Sequence, residues 1–230
     1  MGNVIDIHGG RDARELPLYS VAEAAGYLSI PTSTLRSWVK GQRYTVRGKS
    51  RQFKALLRPH RTGLLTFNNF IEAYVLASLT RQFALPMSRV RHGLEWVGGS
   101  RPLLTELFQT DGVNLFVERS GALVNVVKGG QLAMRAVLEG SLRRVDRDAA
   151  GRPARVYPWI ADPAESKVVA LDPRRAFGRP TIADRGLTVE VIADRFKAGD
   201  SIDLLMKDYE LSKEQVEVAL RWGFHGAAAA

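Results

Sequence analysis

A chain of 230 residues with 45% hydrophobic content has material for one to three compact domains and a true core, which excludes a disordered polymer. Its 33 lysines and arginines outnumber 24 acids for a formal charge of +9, which favours a polyanionic partner, nucleic acid first. The absence of cysteine excludes disulfides and thiolate metal sites. No stretch resembles a signal peptide or approaches the roughly 18–20 apolar residues of a membrane span, so a cytoplasmic location without a membrane partner is expected.

The charge is unevenly spread. From Ser166 onward ten bases meet ten acids, so the whole excess lies in residues 1–165, where 23 bases stand against 14 acids. Between Glu23 and Glu72 there is no acid, while Arg36, Lys40, Arg43, Arg47, Lys49, Arg51, Lys54, Arg58 and Arg61 supply nine bases. The run coincides with a helix-turn-helix and hairpin pattern, where a DNA-binding module needs its phosphate contacts.

In chain order, residues 1–15 read as a flexible segment. Ser20 with Glu23 then forms a capping box, and Val21, Ala24, Ala25 and Leu28 recur at helical spacing. Pro31 breaks that helix. Thr32 or Ser33 caps a second one, with Leu35, Trp38 and Val39 on its inner side and Thr34, Arg36, Ser37 and Lys40 on its free side. Gly41 ends it. Residues 44–47 and 51–53 read as short strands around Gly48, Lys49 and Ser50: a wing with Lys49 at its tip and Arg47 and Arg51 at its sides. The pattern predicts that double-stranded DNA is contacted by Thr32, Ser33, Thr34, Arg36, Ser37 and Lys40 on the recognition helix and by Arg43, Arg47, Lys49, Arg51 and Lys54 in and beside the wing.

Residues 66–83 follow as an amphipathic helix whose apolar stripe is core. Ser88 caps another over 89–97, with Val90, Leu94 and Trp96 for burial and Arg89 and Arg91 available outside. The order Tyr19-Ser20-Val21-Ala22-Glu23-Ala24-Ala25, then Thr34-Leu35-Arg36-Ser37-Trp38, a wing, and Leu65-Thr66-Phe67 leading into a helix resembles the MerR-type winged DNA-binding domain over residues 16–97. No long coiled coil and no cysteine loop follow, so a metal-sensing role is not implied.

The middle of the chain changes pattern. Residues 115–117 and 123–127 suggest a hairpin, Gly129-Gly130 a loop, 131–142 a helix, and 142–145 with 154–157 a second hairpin around residues 148–151. Asp146 and Asp148 are better explained as a turn flank than as a metal site.

From Val168 the signals sharpen. A short strand at 168–171 precedes three helices: Thr188 caps 189–198, which Gly199 ends, Ser201 opens a short one to 208, and Ser212 with Gln215 makes a capping box for 213–222. Asp172, Pro173, Gly178, Arg179, Pro180, Ile182, Thr188, Val189, Ala198, Gly199, Ser201, Leu204, Tyr209, Leu211, Ser212, Gln215 and Val216 together resemble the small antitoxin domain of the family DUF433. The departure is Asp184-Arg185-Gly186-Leu187, where that family usually shows a Gly-Thr-Arg-like turn.

Front and rear together resemble a long VapB-type antitoxin. The expected fold is mainly α with small β elements: a MerR-like winged helix-turn-helix over 16–99, a small α+β middle subdomain over 100–165, and a C-terminal three-helix, helix-turn-helix-like domain over 166–226. The resemblance implies a type II antitoxin, not an enzyme, that neutralises a PIN-like ribonuclease toxin and binds operator DNA as a homodimer to autoregulate transcription. A PIN-like cleft is acidic and metal-binding, so Arg174, Arg175, Arg179 and Arg185 are the expected toxin contacts. The last helix carries Glu214 and Glu217 against Lys213 and Arg221, which assigns the rear module to self-association or toxin contact and leaves DNA to the front. The histidines are scattered and no catalytic motif is present, so no catalytic residue, metal or cofactor is expected. The alternative reading is a stand-alone MerR-like transcriptional regulator without a toxin.

Overall fold

The computed structural model describes residues 10–46, 49–83, 87, 90–91, 93–94, 101–104, 128–160 and 164–227. Among these the chain is mainly helical, with seven α-helices and three small two-stranded antiparallel sheets. None of these helices is long and apolar enough to cross a membrane.

Helix α1 (Val21–Tyr27) starts on the predicted capping box: Ser20 Oγ accepts from the Glu23 amide at 3.1 Å and the Glu23 carboxylate accepts from the Ser20 amide at 2.8 Å. Helix α2 (Thr32–Lys40) starts differently from expectation. Pro31 itself occupies the cap with no side-chain bond, and its carbonyl accepts from Thr34 and Leu35, so Thr32 is already helical and Ser33 caps nothing. A proline at the entry supplies the fixed φ that a helix start needs. At Gly41, φ is 75° and a Cβ would lie 2.3 Å from the Phe53 carbonyl oxygen, so only glycine lets α2 turn directly into the wing.

The wing is β1 (Gln42–Val46) against β2 (Lys49–Phe53), in a register that pairs Val46 with Lys49. Both strands are longer than the sequence pattern indicates, and Lys49 belongs to a strand instead of the turn. Arg47 lies outside the described residues, as do the side chains of Lys49 and Arg51.

Helix α3 (Phe67–Phe83) is capped by Thr66, whose Oγ1 accepts from the Asn69 amide at 3.2 Å while Asn69 Oδ1 accepts from the Thr66 amide at 3.1 Å. Its sequence predicts one apolar stripe, yet Phe67, Phe70, Ile71, Ala73, Tyr74, Val75, Leu76, Ala77 and Leu79 are all buried. The cause is a partner on each side. Ala24, Ala25, Leu28, Leu35 and Trp38 belong to the same core cluster as Leu138, Leu142, Val156 and Trp159 from the middle of the chain. Even Glu72 is buried, its carboxylate held by Arg101 at 2.9 Å.

Helix α4 (Lys128–Leu142) takes in Gly129 and Gly130, so that glycine pair is helical and not a loop, and Leu142 ends the helix instead of opening a strand. Sheet β3 (Val145–Arg147) with β4 (Pro153–Val156) turns on Asp148, whose Oδ1 accepts from the amides of Ala150 and Arg152, both at 3.0 Å. That is the turn role expected of it. The hairpin expected over 115–127 and much of the helix expected over 89–97 lie outside the described residues.

The rear begins with β5 (Val169–Ala170) paired to β6 (Thr181–Ile182), and Leu171 bridges to Val156. Helices α5 (Val189–Lys197), α6 (Ile202–Tyr209) and α7 (Lys213–Ala227) close a second core around Ile192, Leu205, Val216, Ala219 and Trp222. The predicted caps at Ser201 and at Ser212 with Gln215 form, whereas Thr188 occupies its cap position without a side-chain bond. The two cores meet at α7, which packs on both α5 and α1. Tyr27 touches both cores and lies 6.5 Å from the Trp222 ring, and burial pushes its hydroxyl pKa up to about 12. Tyr19 crosses the same seam by donating its hydroxyl to the Gly178 carbonyl at 3.0 Å.

Candidate nucleic-acid interface

The inner side of α2, Leu35, Trp38 and Val39, is buried. Ser33, Arg36, Ser37 and Lys40 therefore form a single ridge on the opposite face, since residues three and four apart align along a helix. Ser33, Arg36 and Lys40 are exposed, while Thr32, Thr34 and Ser37 are half-buried. Ser37 spends its hydroxyl hydrogen on the Thr34 carbonyl at 2.7 Å, which leaves its lone pairs to accept.

The wing is fastened to this helix from behind. The amides of Leu56 and Leu57 donate to the Trp38 carbonyl at 2.7 and 3.1 Å, so the segment leaving β2 is clipped to the last turns of α2. Arg43 and Lys54 stand exposed at the wing's base, and Arg58 and Arg61 are exposed beyond it. Arg91, expected to stay available outside, instead donates to the Lys54 carbonyl and lies 5.2 Å from the Phe53 ring centroid, bracing the wing's exit.

Among the described residues, none of Arg36, Lys40, Arg43, Lys54, Arg58 or Arg61 has a carboxylate within ion-pair reach. The physical reason is the acid-free stretch of sequence around them. Unpaired exposed bases keep their full field and their counterions, which is the condition for binding a phosphate backbone. Arg58 and Arg61 belong to the basic run but not to the expected contact set, and their exposure adds them to the candidate surface.

Rear arginines are placed differently. Arg174 is held by Asp172 at 3.0 Å, Arg179 by Glu190 at 3.3 Å and Arg185 by Glu210 at 3.4 Å. Arg175 is exposed. Arg174, Arg175 and Arg179 lie along one loop, residues 172–180, with Arg174 turned to Asp172 and Arg179 to Glu190, and Arg185 sits on the following turn. Helix α7 buries Val216, Val218, Ala219, Leu220 and Trp222, and its outward residues include Glu214, Glu217, Lys213 and Arg221, with Lys213 and Glu217 3.8 Å apart. Such a face repels phosphates about as much as it attracts them. No group of three or more His, Asp or Glu side chains suited to a metal ion occurs among the described residues.

Two family models match the chain: the "Putative DNA-binding HTH domain" over residues 17–94 and the "Protein of unknown function (DUF433)" over residues 169–222. Two proteins of Mycobacterium tuberculosis, strain H37Rv, are similar over most of their length. "Putative antitoxin VapB45" is 30% identical, with 90% of this chain and 93% of that one covered. "Uncharacterized protein Rv2308" is 26% identical, with 88% of each covered. Among solved structures, the X-ray crystal structure of Rv2018 from Mycobacterium tuberculosis is 25% identical with a TM-score of 0.65, covering 89% of this chain and 98% of that one.

Proposed function

Because the chain belongs to the family of the "Putative antitoxin VapB45", with a helix-turn-helix domain in front and a DUF433 domain behind, we propose that it is a type II antitoxin that binds operator DNA and a PIN-like ribonuclease toxin. The observation that carries the DNA half is the ridge of α2 and the adjoining wing base, where exposed bases stand without carboxylate partners among the described residues. Thr32, Ser33, Thr34, Arg36, Ser37 and Lys40 are the groups for the major groove. Arg43, Arg47, Lys49, Arg51 and Lys54 serve the flanking phosphates. A homodimer on a palindromic operator is the arrangement that doubles this one-helix contact and represses the chain's own transcription. The toxin half rests on family membership and on the arginine-bearing loop of the rear module, with Arg174, Arg175, Arg179 and Arg185 as its contacts. In this role the chain acts by binding alone and needs no catalytic group or cofactor.

Co-expression with the product of the neighbouring gene tests the reading. The expected result is a complex that survives purification, no longer cleaves RNA and shifts operator DNA. A chain that ignores its neighbour yet releases DNA on adding a small ligand is a stand-alone regulator, and the antitoxin reading then fails.

A further inference from the structure

The loop from Asp172 to Pro180 combines a strained backbone with an exposed aromatic ring. Ala176, Phe177 and Gly178 are consecutive left-handed residues, with φ of 46°, 53° and 76°. Glycine takes that region freely, whereas alanine and especially phenylalanine do not. Phe177 is also 69% exposed, the most exposed large hydrophobic side chain among the described residues. The chain thus keeps a bulky residue where glycine fits better and leaves its ring in water. Backbone strain of this kind gathers at binding and catalytic sites.

The base of the loop is rigid. Asp172, only 2% exposed, accepts from the Arg174 amide at 2.9 Å and from Arg174 Nε at 3.1 Å. The Arg175 amide donates to the Asp172 carbonyl at 2.9 Å, and the Tyr19 hydroxyl pins Gly178 from the front module. An aromatic ring on a fixed loop loses little freedom on docking. The same loop carries Arg174 and Arg179, whose side chains are 61% and 59% exposed, and the exposed Arg175. Aromatic and arginine side chains together are the composition of an interface hot spot.

We propose that Phe177 is the anchor by which this chain holds its protein partner, the ring entering an apolar pocket whose rim carries carboxylates opposite Arg174, Arg175 and Arg179. The inference rests on the antitoxin reading and adds to it the residue that seats the toxin. Nucleic acid is the poorer occupant. Glu190 and Asp184, exposed at 54% and 81%, share the neighbourhood as ion-pair partners of Arg179 and Arg155, and such carboxylates repel phosphates.

The test is Phe177→Gly in the full chain, titrated calorimetrically against the purified product of the neighbouring gene and, separately, against operator DNA. Glycine suits the left-handed backbone, so the variant folds with an unchanged or higher melting temperature. Affinity for the neighbour is expected to fall about 30-fold or more, with DNA affinity and oligomeric state unchanged, while Phe177→Tyr keeps most of the partner affinity. Phe177→Gly binding the neighbour within about threefold of the original chain overturns the proposal. So does a loss confined to DNA, which makes the ring a wedge in a groove, or a change in oligomeric state, which makes it a self-association contact. An original chain that does not bind the neighbour removes the antitoxin reading and this inference with it, a result distinct from equal binding by both.

Discussion

Helices α1 and α2 in the front module and α6 and α7 in the rear are both pairs of helices joined by a tight turn, yet their surfaces differ in kind. In front, α2 buries one side and turns outward a ridge whose bases have no carboxylate partner among the described residues. In the rear, α7 lays its apolar side on α1 and α5, and its outward residues mix two acids with two bases. The difference teaches that a helix-turn-helix topology does not make a DNA reader by itself. Charge left uncompensated does, and a similar helix pair with compensated charge is free to become packing material and a platform for other contacts.

The largest expected effect removes that asymmetry. Replacing Arg36, Lys40 and Arg43 together by alanine should lower operator affinity by about 100-fold or more, the loss expected if each makes the phosphate or base contact proposed for it. The matching rear variant, with Arg174, Arg175 and Arg179 replaced, should change DNA affinity by less than about threefold in the same gel-shift assay. Equal losses would break the comparison.

Next in size is the seam between the halves. A Cβ at Gly178 would lie 2.4 Å from the Tyr19 hydroxyl, whereas at Gly186 it would meet nothing within 4 Å, although φ is similar at 76° and 70°. Gly178→Ala should therefore cost about 2–3 kcal/mol in a denaturant titration and Gly186→Ala about 1 kcal/mol. The gap between them measures the contact across the seam. Smaller still are the caps: Ser20→Ala in front and Ser212→Ala in the rear should each lose about 1 kcal/mol, by equal mechanisms in the two modules.

The smallest effect is one that acid removes. Hydrogen bonds from the Arg14 guanidinium hold the carboxyls of Asp12 and Asp148 below the usual carboxylate range. A depressed carboxyl pKa contributes stability that is present above the unfolded-state value of about 3.9 and is lost as pH falls through the folded-state value. Arg14→Ala should therefore lower stability slightly at neutral pH, and its difference from the original chain should vanish as pH falls below that value. An unchanged acid limb would show that the ion pairs carry no net stability.

What could be read from the sequence was local. The capping pairs Ser20 with Glu23 and Ser212 with Gln215 lie within one helical turn, and both form as predicted. That Arg36, Lys40 and Arg43 have no carboxylate partner near them in sequence was legible for the same reason, since the stretch between Glu23 and Glu72 offers no acid. What stayed hidden depends on distant partners. The burial of α3 on all sides needs Leu138, Val156 and Trp159, which no helical period reveals. Arg179 and Arg185 find their carboxylates 11 and 25 residues away, and Tyr19 meets Gly178 across 159. Pro31 misled because a cap position is normally read from a side-chain oxygen, and here backbone geometry alone opens the helix.

The most direct test of the front as the DNA surface is the salt dependence of operator binding by the full chain. If six bases of this surface meet phosphates, affinity should fall about 1,000-fold between 50 and 200 mM salt, with a logarithmic slope near −5 that shrinks by about one unit for each of Arg43 and Lys54 removed. A flat salt response, or a slope that those replacements leave unchanged, would contradict the account.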